Sequence, residues 1–292
     1  MSQRLEVSER RACQVLSQPR GTQRYAPRRG DEDKALVAAM KRLSRSHPRY
    51  GYRRITALLR AEGRPVNRKR VYRLWRQEGL KVPGKRRKDK RLGDSENGCL
   101  RRRAEHINQV WSYDFVADQT EDGRRLKMLV VLDEYTRESL TIEVQRRMRA
   151  PAVLATLEYL FAVRGAPQYL RSDNGPEFVA QAIQNWLKKS GVHTLYIAPG
   201  SPWENAYIES FNSRFRDELL NAESFGNLRE AQVLVEDYRR RYNHHRPHSS
   251  LNYATPAAYA AACLASAPAS AGPTPTPNRE EVVVRSLIRA GT

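Results

Sequence analysis

The amino-acid sequence predicts an α/β core, a five-stranded mixed sheet with flanking helices, preceded by an all-α domain. Three observations lead there. The charge is divided unevenly along the chain, which marks two parts of different character. Apolar residues recur at helical spacing through residues 31–82. From residue 107 onward, strand-like runs come first and then alternate with helical ones, the element order of a mixed sheet with helices packed on it.

The charge sets the first boundary. The 292 residues carry 52 Lys and Arg against 32 Asp and Glu, a net +20. Residues 1–105 hold 31 basic and 11 acidic side chains, and residues 106–292 hold 21 of each. The whole excess therefore lies in the first third, far beyond what solubility needs, and predicts a polyanion-binding front segment joined to an electrically balanced domain. Cys13, Cys99 and Cys263 are scattered without metal-ligand spacing and form no disulfide framework, so a reducing compartment is expected. No apolar run approaches a membrane span, and residues 1–30 lack the apolar core of a signal peptide. The expected location is the cytoplasm, with DNA as the polyanion.

Residues 1–30 are polar and Arg-rich, without a clear period or heptad seam, and are expected to be partly disordered. Residues 31–82 read as three helices. Asp31 is expected to cap the first, with Ala35, Leu36, Ala39, Met40 and Leu43 on its apolar face and His47-Pro48 ending it. In the second, Ile55, Leu58 and Leu59 face inward and Gly63 stops the helix. Asn67 caps the third, whose inward residues are Val71, Leu74 and Trp75. Helix, short glycine-containing turn and basic helix make a helix-turn-helix pattern, in which the second helix enters the major groove. The residues placed to touch DNA are Arg68, Lys69, Arg70 and, one turn on, Arg73. Cations crowd this helix start against the macrodipole, a cost that phosphates would offset. Residues 83–105 are a basic linker almost without apolar content.

Core strands are predicted at NQVWSYDFV, GRRLKMLVVLDEY and RESLTIEV, with the Gly123 turn making a hairpin of the first two. PAVLATLEYLFAV is an amphipathic helix with Pro151 in its first turn. APQYLRSD is a fourth strand, EFVAQAIQNWLKKSG a helix, VHTLYIA a fifth strand, and a helical stretch follows from Asn205 to Leu220. This is the element order of an RNase H-like fold, assigned to residues 106–225 by analogy of order alone. Residues 226–264 form a further helix at 228–241 and an end piece, and residues 265–292 a low-complexity tail whose VVV run could make an edge strand.

Three acids stand out by context: Asp114 within the first core strand, Asp173 closing the fourth, and Glu209 in the helix NAYIESFNSRFRDEL. Thirty-five residues separate Asp173 from Glu209, and Arg216 follows Glu209 by seven. In this the chain resembles the retroviral-integrase superfamily of DDE transposases and integrases. The strings HPRYGYRRITALLR, YDFVAD, DGRRLKMLVVLDEYTRE, SDNGPEF, SPWENAYIESFNSRFRDELL and YNHHRPHSSLNYATP extend the likeness over roughly residues 31–260. Together they look like the second-reading-frame (OrfB-type) protein of IS-three family bacterial insertion sequences. The resemblance implies Asp114, Asp173 and Glu209 as catalytic and metal-binding residues holding two magnesium ions, or manganese in their place. The residue types suit that chemistry: a hard cation wants oxygen ligands, and two Mg2+ balance three carboxylates and one scissile phosphate.

Rival acids have simpler expectations. Asp133 makes a turn or pairs with Arg137, and Glu177 sits favourably in a helix first turn after Pro176. Asn174 and Gly175 shape the turn presenting Asp173, Asn205 caps the Glu209 helix, and Trp203 packs under it. Arg216 is either a phosphate contact or a helix partner of Asp217 or Glu218. His244, His245 and His248 lack a cysteine partner, and their end piece is read as packing on the core or touching DNA.

The function expected is metal-dependent cleavage and strand transfer at insertion-element ends. The partners are double-stranded DNA of the terminal repeats and target, a homo-oligomer on paired ends, and an upstream-frame DNA-binding protein as partner or fusion. The alternatives are a non-catalytic DNA-binding regulator with a retained fold and an RNase H-type nuclease. The helix-turn-helix would be surplus in the second, and the intact set of three acids speaks against the first. It speaks also against a tyrosine recombinase, which needs no such set.

Overall fold

The computed structural model describes residues 8–24, 30–84, 103–172, 181–196 and 205–266. The chain divides into two compact units, residues 1–84 and 85–292. Most of the basic linker, the segment holding Asp173 to Glu177, Trp203 and the tail with its VVV run lie outside the described residues.

The first unit opens with two short helices, α1 (Glu9–Val15) and α2 (Arg20–Arg24), where the sequence showed no clear period. Their origin is local. The Ser8 side chain accepts from the Arg11 amide, Glu9 occupies the first turn, and Arg24 closes back on Glu9 at 2.8 and 3.0 Å. Seven- and five-residue helices are shorter than any window in which a period can be read.

Three longer helices follow: α3 (Asp31–Ser46), α4 (Tyr52–Ala61) and α5 (Arg68–Gln77). Leu36, Met40, Leu43, Ile55, Leu59, Val71, Leu74 and Trp75 share one core, as the helical spacing requires. Val37 is buried in place of the predicted Ala35, which is exposed. Gly30, not Asp31, occupies the cap of α3, with no side-chain cap bond, and Asp31 instead pairs with Lys34 inside the helix. Asn67 does cap α5, accepting from the Lys69 amide at 2.9 Å. After α4 the chain turns at Gly63 with φ +78°, a left-handed conformation that glycine adopts without strain.

The second unit is built on five strands: β1 (Val110–Gln119), β2 (Arg125–Asp133), β3 (Ser139–Gln145), β4 (Tyr169–Ser172) and β5 (His193–Tyr196). Their order is β3-β2-β1-β4-β5. The first three form an antiparallel meander, and β4 and β5 add in parallel on the β1 side. Gly123, at φ +75°, turns the β1–β2 hairpin where the sequence placed it. Two helices, α6 (Ala150–Arg164) and α7 (Gln181–Lys189), supply one layer. Their Val153, Leu157, Leu160, Ile183 and Leu187 pack with Trp111, Tyr113, Leu129 and Val131 of the sheet. The opposite face, with Val116, Met128, Val130 and Ile142, is covered by α8 (Ala206–Phe215), its π-helical continuation Arg216–Leu220, and α9 (Leu228–His244). Helices on both faces explain why β2 reads as an almost unbroken apolar run rather than an alternation.

The residues after 225 pack on the sheet of the second unit. Asn243 of α9 exchanges two hydrogen bonds with the Ser139 backbone, at 2.9 and 2.8 Å, and Arg246 pairs with Glu218 at 2.6 Å in a nearly dry setting. The end piece is thus core packing, completed by α10 (Pro256–Ser266), which runs into the residues read as low complexity. His248 is buried there, its Nδ1 at 2.9 Å from the Ser250 hydroxyl. No described helix is long and apolar enough to cross a membrane.

Candidate active site

Asp114 lies in β1 opposite Val130, half-buried on the face covered by α8. Its Oδ1 accepts from the Phe115 amide at 2.7 Å, and its Oδ2 accepts from Asn212 Nδ2 at 2.8 Å. Asn212 belongs to α8, three residues after Glu209, which places the two about one turn apart along the same side of the helix. Ile208, Phe211 and Phe215 anchor α8 in the core, while the Glu209 side chain is exposed. Asp114 and Glu209 therefore stand on packed neighbouring elements, linked through Asn212. The side-chain Oδ1 of Asn212 is buried with no hydrogen-bond partner among the described residues. An unused acceptor beside a carboxylate is an arrangement that a water or a cation would satisfy.

Asp173 lies outside the described residues, but its immediate predecessor Ser172 ends β4. Strand β4 runs parallel to β1, with Arg171 level with Ser112, two residues before Asp114. Among the described residues no three His, Cys, Asp or Glu side chains cluster as a metal-ligand group.

The other acids of these motifs have structural roles. Asp133 is buried and accepts from the backbone amides of Asn108 (3.2 Å) and Tyr135 (2.8 Å), shaping the turn after β2. Burial pushes its carboxyl above the ordinary range, and those two bonds oppose the shift. The expected partner Arg137 instead lies over the Tyr207 ring and donates to the Glu134 carbonyl. Glu134 is fully buried and pairs with Arg171 of β4 at 2.9 Å. This cross-link between the end of β2 and β4 lies thirty-seven positions apart in sequence, and no local pattern announces it.

One further expectation changes. Asn205 precedes α8 without forming the predicted cap bond, its side-chain oxygen buried and unpaired among the described residues. Arg216 pairs with neither Asp217 nor Glu218: Glu218 is taken by Arg246, and Arg216 is exposed with one long contact, 3.4 Å, to the Ala117 carbonyl. In the first unit Arg70 and Arg73, expected on DNA, both bind Asp33 of α3, at 2.6 and 3.2 Å. Glu32 and Asp33 of the first turn of α3 pair with these arginines of α5, which the reading of α5 alone did not include. Arg68 and Lys69 are exposed at the α5 start and make no ion pair among the described residues.

The family described as Integrase core domain matches residues 104–202 and, in a second form, residues 190–256. An HTH-like domain matches residues 31–88. The chain is 42% identical to the insertion element IS476 uncharacterized 39.2 kDa protein of Xanthomonas euvesicatoria, over 89% of this chain and 75% of that one. It is 39% identical to the insertion element IS407 uncharacterized 31.7 kDa protein of Burkholderia multivorans, over 92% and 96%. The putative transposase InsK for insertion sequence element IS150 of Escherichia coli is 30% identical over 72% of this chain and 77% of its own. Among solved structures, the HTLV-2 integrase catalytic core domain in complex with magnesium aligns with 54% of this chain and 99% of its own, at 12% identity and TM-score 0.42. The HTH-like helical unit, the integrase-core match and insertion-element relatives covering 72–92% of its length place the chain in the integrase-core family of insertion-element DNA transposases.

Proposed function

We propose that this transposase cleaves and joins DNA at insertion-element ends with Asp114, Asp173 and Glu209 as its three essential carboxylates. The observation that carries the reading is the packing of α8 on β1, which sets Glu209 one turn from the amide that grips Asp114. The reaction would be an in-line displacement. A water oxygen bonds to phosphorus as the P–O3′ bond breaks, and the freed 3′-hydroxyl then attacks a second phosphodiester in the same sense.

The donor set fits a divalent metal of the magnesium type: hard carboxylate oxygens, with the unused Asn212 Oδ1 on the amide that holds Asp114. Asp114, Asp173 and Glu209 would hold the pair of ions, magnesium or manganese. When bound, the pair supplies charge neutralisation at the scissile phosphate and at the entering and leaving oxygens. Asn212 holds Asp114 in one orientation, and the apolar residues beneath α8 keep that helix from shifting. We also propose that the working form is a multimer on paired ends, with an upstream-frame protein as partner or fusion, on the strength of family membership.

The test is strand joining of labelled element ends in magnesium. Asp114→Asn, Asp173→Asn and Glu209→Gln should each lower the rate by at least about a hundredfold, the scale of losing one electrostatic stabiliser, with DNA binding retained. Glu223→Gln, an exposed acid just after the π-helical turn, is the matched control and should keep its rate. A folded Glu209→Gln protein that joins ends at the wild-type rate would show that another acid does the work.

A further inference from the structure

The balanced charge of residues 106–292 conceals an unbalanced surface. The start of β2 and the segment between β3 and α6 enclose an open cleft of about 780 Å3. Its lining is Arg124, Arg125, Lys127, Arg146, Arg147 and Arg149 over a buried Met148, with no acidic residue among the described residues. Residues 124–127 and 146–149 are some twenty positions apart, and the pairing of β2 with β3, Lys127 opposite Gln145, brings them together.

The six cations are not equally committed. Arg146 donates to the Thr120 hydroxyl (2.6 Å) and the Arg124 carbonyl (3.0 Å), bracing the hairpin. Lys127 lies over the Phe115 ring at 4.2 Å, and Arg124 is 3.9 Å from Asp122. Arg125, Arg147 and Arg149 are exposed and form no ion pair among the described residues. Arg149 also stands at the N-terminal cap of the fifteen-residue α6 with no side-chain cap bond, so the helix adds its positive end to the same cleft. Concentrating like charges this way is unfavourable unless an anion joins them.

We propose that this cleft is a second DNA-binding surface, on the catalytic unit itself, that grips the phosphodiester backbone of a duplex away from the scissile bond. Lys127 rests on Phe115, which belongs to the α6–α7 face of the sheet, whereas Asp114 belongs to the α8 face. Along β1 the cleft is level with Ala117, the partner of Lys127, three residues beyond Asp114. At strand rise that is an offset of about 10 Å along the strand, with the sheet itself between the two faces, so the backbone held in the cleft is a different stretch of DNA from the one at Asp114. Guanidinium groups suit that contact, since they meet phosphate oxygens in a fork. The site reads backbone and not bases, so element-end DNA and target DNA carry the same chemistry for it.

The inference rests on the chain acting on DNA, and its test does not require joining activity. The full chain with Arg125→Gln, Arg147→Gln and Arg149→Gln is compared with wild type by fluorescence anisotropy across a salt series. One 40-bp duplex carries the element's terminal repeat and another has random sequence. Each phosphate contact contributes about 0.9 to the slope of log affinity against log salt, so the triple variant should lose about 2 to 3 from it. The matching triple Arg→Lys variant should keep its slope, which separates charge from folding. An equal loss on both duplexes is the result expected of a backbone contact, and a loss confined to one duplex would mean that the site reads sequence and would overturn the backbone assignment. An unchanged slope on both duplexes overturns the proposal. Wild-type protein that binds both but joins neither would count against the carboxylate reading alone.

Discussion

The Arg171–Glu134 pair offers the sharpest energetic test of the architecture around Asp114. The side chains are 5% and 0% exposed and meet at 2.9 Å. Arg171 lies in β4, hydrogen-bonded between β1 and β5, and Glu134 follows β2, its amide bound to the Val110 carbonyl. Replacing Glu134 with Gln keeps the shape and leaves a guanidinium charge in the interior without its counter-charge. Breaking a buried pair from one side costs about 3–5 kcal/mol, whereas replacing both partners by apolar groups of similar volume is often neutral or favourable. A loss of that size is a large share of a typical stability of about 5–15 kcal/mol. For a unit of this size it should lower the melting midpoint by about 6–20 °C. Glu134→Gln and Arg171→Met should each show that loss in urea unfolding of the full chain followed by tryptophan fluorescence, to which the buried Trp111 contributes. The double variant Glu134→Leu/Arg171→Met should lose much less than the two singles together. Singles within about 1 kcal/mol of wild type, or a double equal to their sum, would refute the view that the pair works as one buried unit.

Two other predictions concern the start of α5 and the buried Asp133. Replacing Arg68 and Lys69 with alanine should weaken duplex binding and lower the salt slope by about two. Arg70→Ala should chiefly lower the melting midpoint of the first unit, because its guanidinium holds Asp33; equal effects on DNA affinity from all three would contradict this division. Burial raises the Asp133 carboxyl in the folded state, so the folded protein takes up that proton more readily than the unfolded chain. The associated stability is full below the unfolded value of about 3.9 and is lost as pH rises through the raised folded value. Wild-type stability measured against Asp133→Asn should therefore decline with rising pH across that window, and a difference that stays flat would mean the carboxyl is solvated.

The sequence by itself determined the parts whose signals are short-range. Helical spacing at Leu36, Met40 and Leu43, the Asn67 cap, the Gly123 turn and the run KMLVVL each act within a few residues, and each became the expected element. The strings around Asp114 and Glu209 were equally legible, because a strand and a helix set by local pattern carry those acids. Where the pattern was too short to show a period, as in α1 and α2, helices formed unannounced. Only the tertiary structure decided which side chains meet. Arg70 finds Asp33 across 37 residues, Arg171 finds Glu134 across 37, and Asn212 finds Asp114 across 98. It likewise gathered six cations into one cleft within residues 106–292, whose charges sum to nothing. Spacing along the chain dictates which face of an element is apolar. Partners, burial and local charge arise only when two such faces close on each other, and helix packing and strand register, not neighbourhood in sequence, select them.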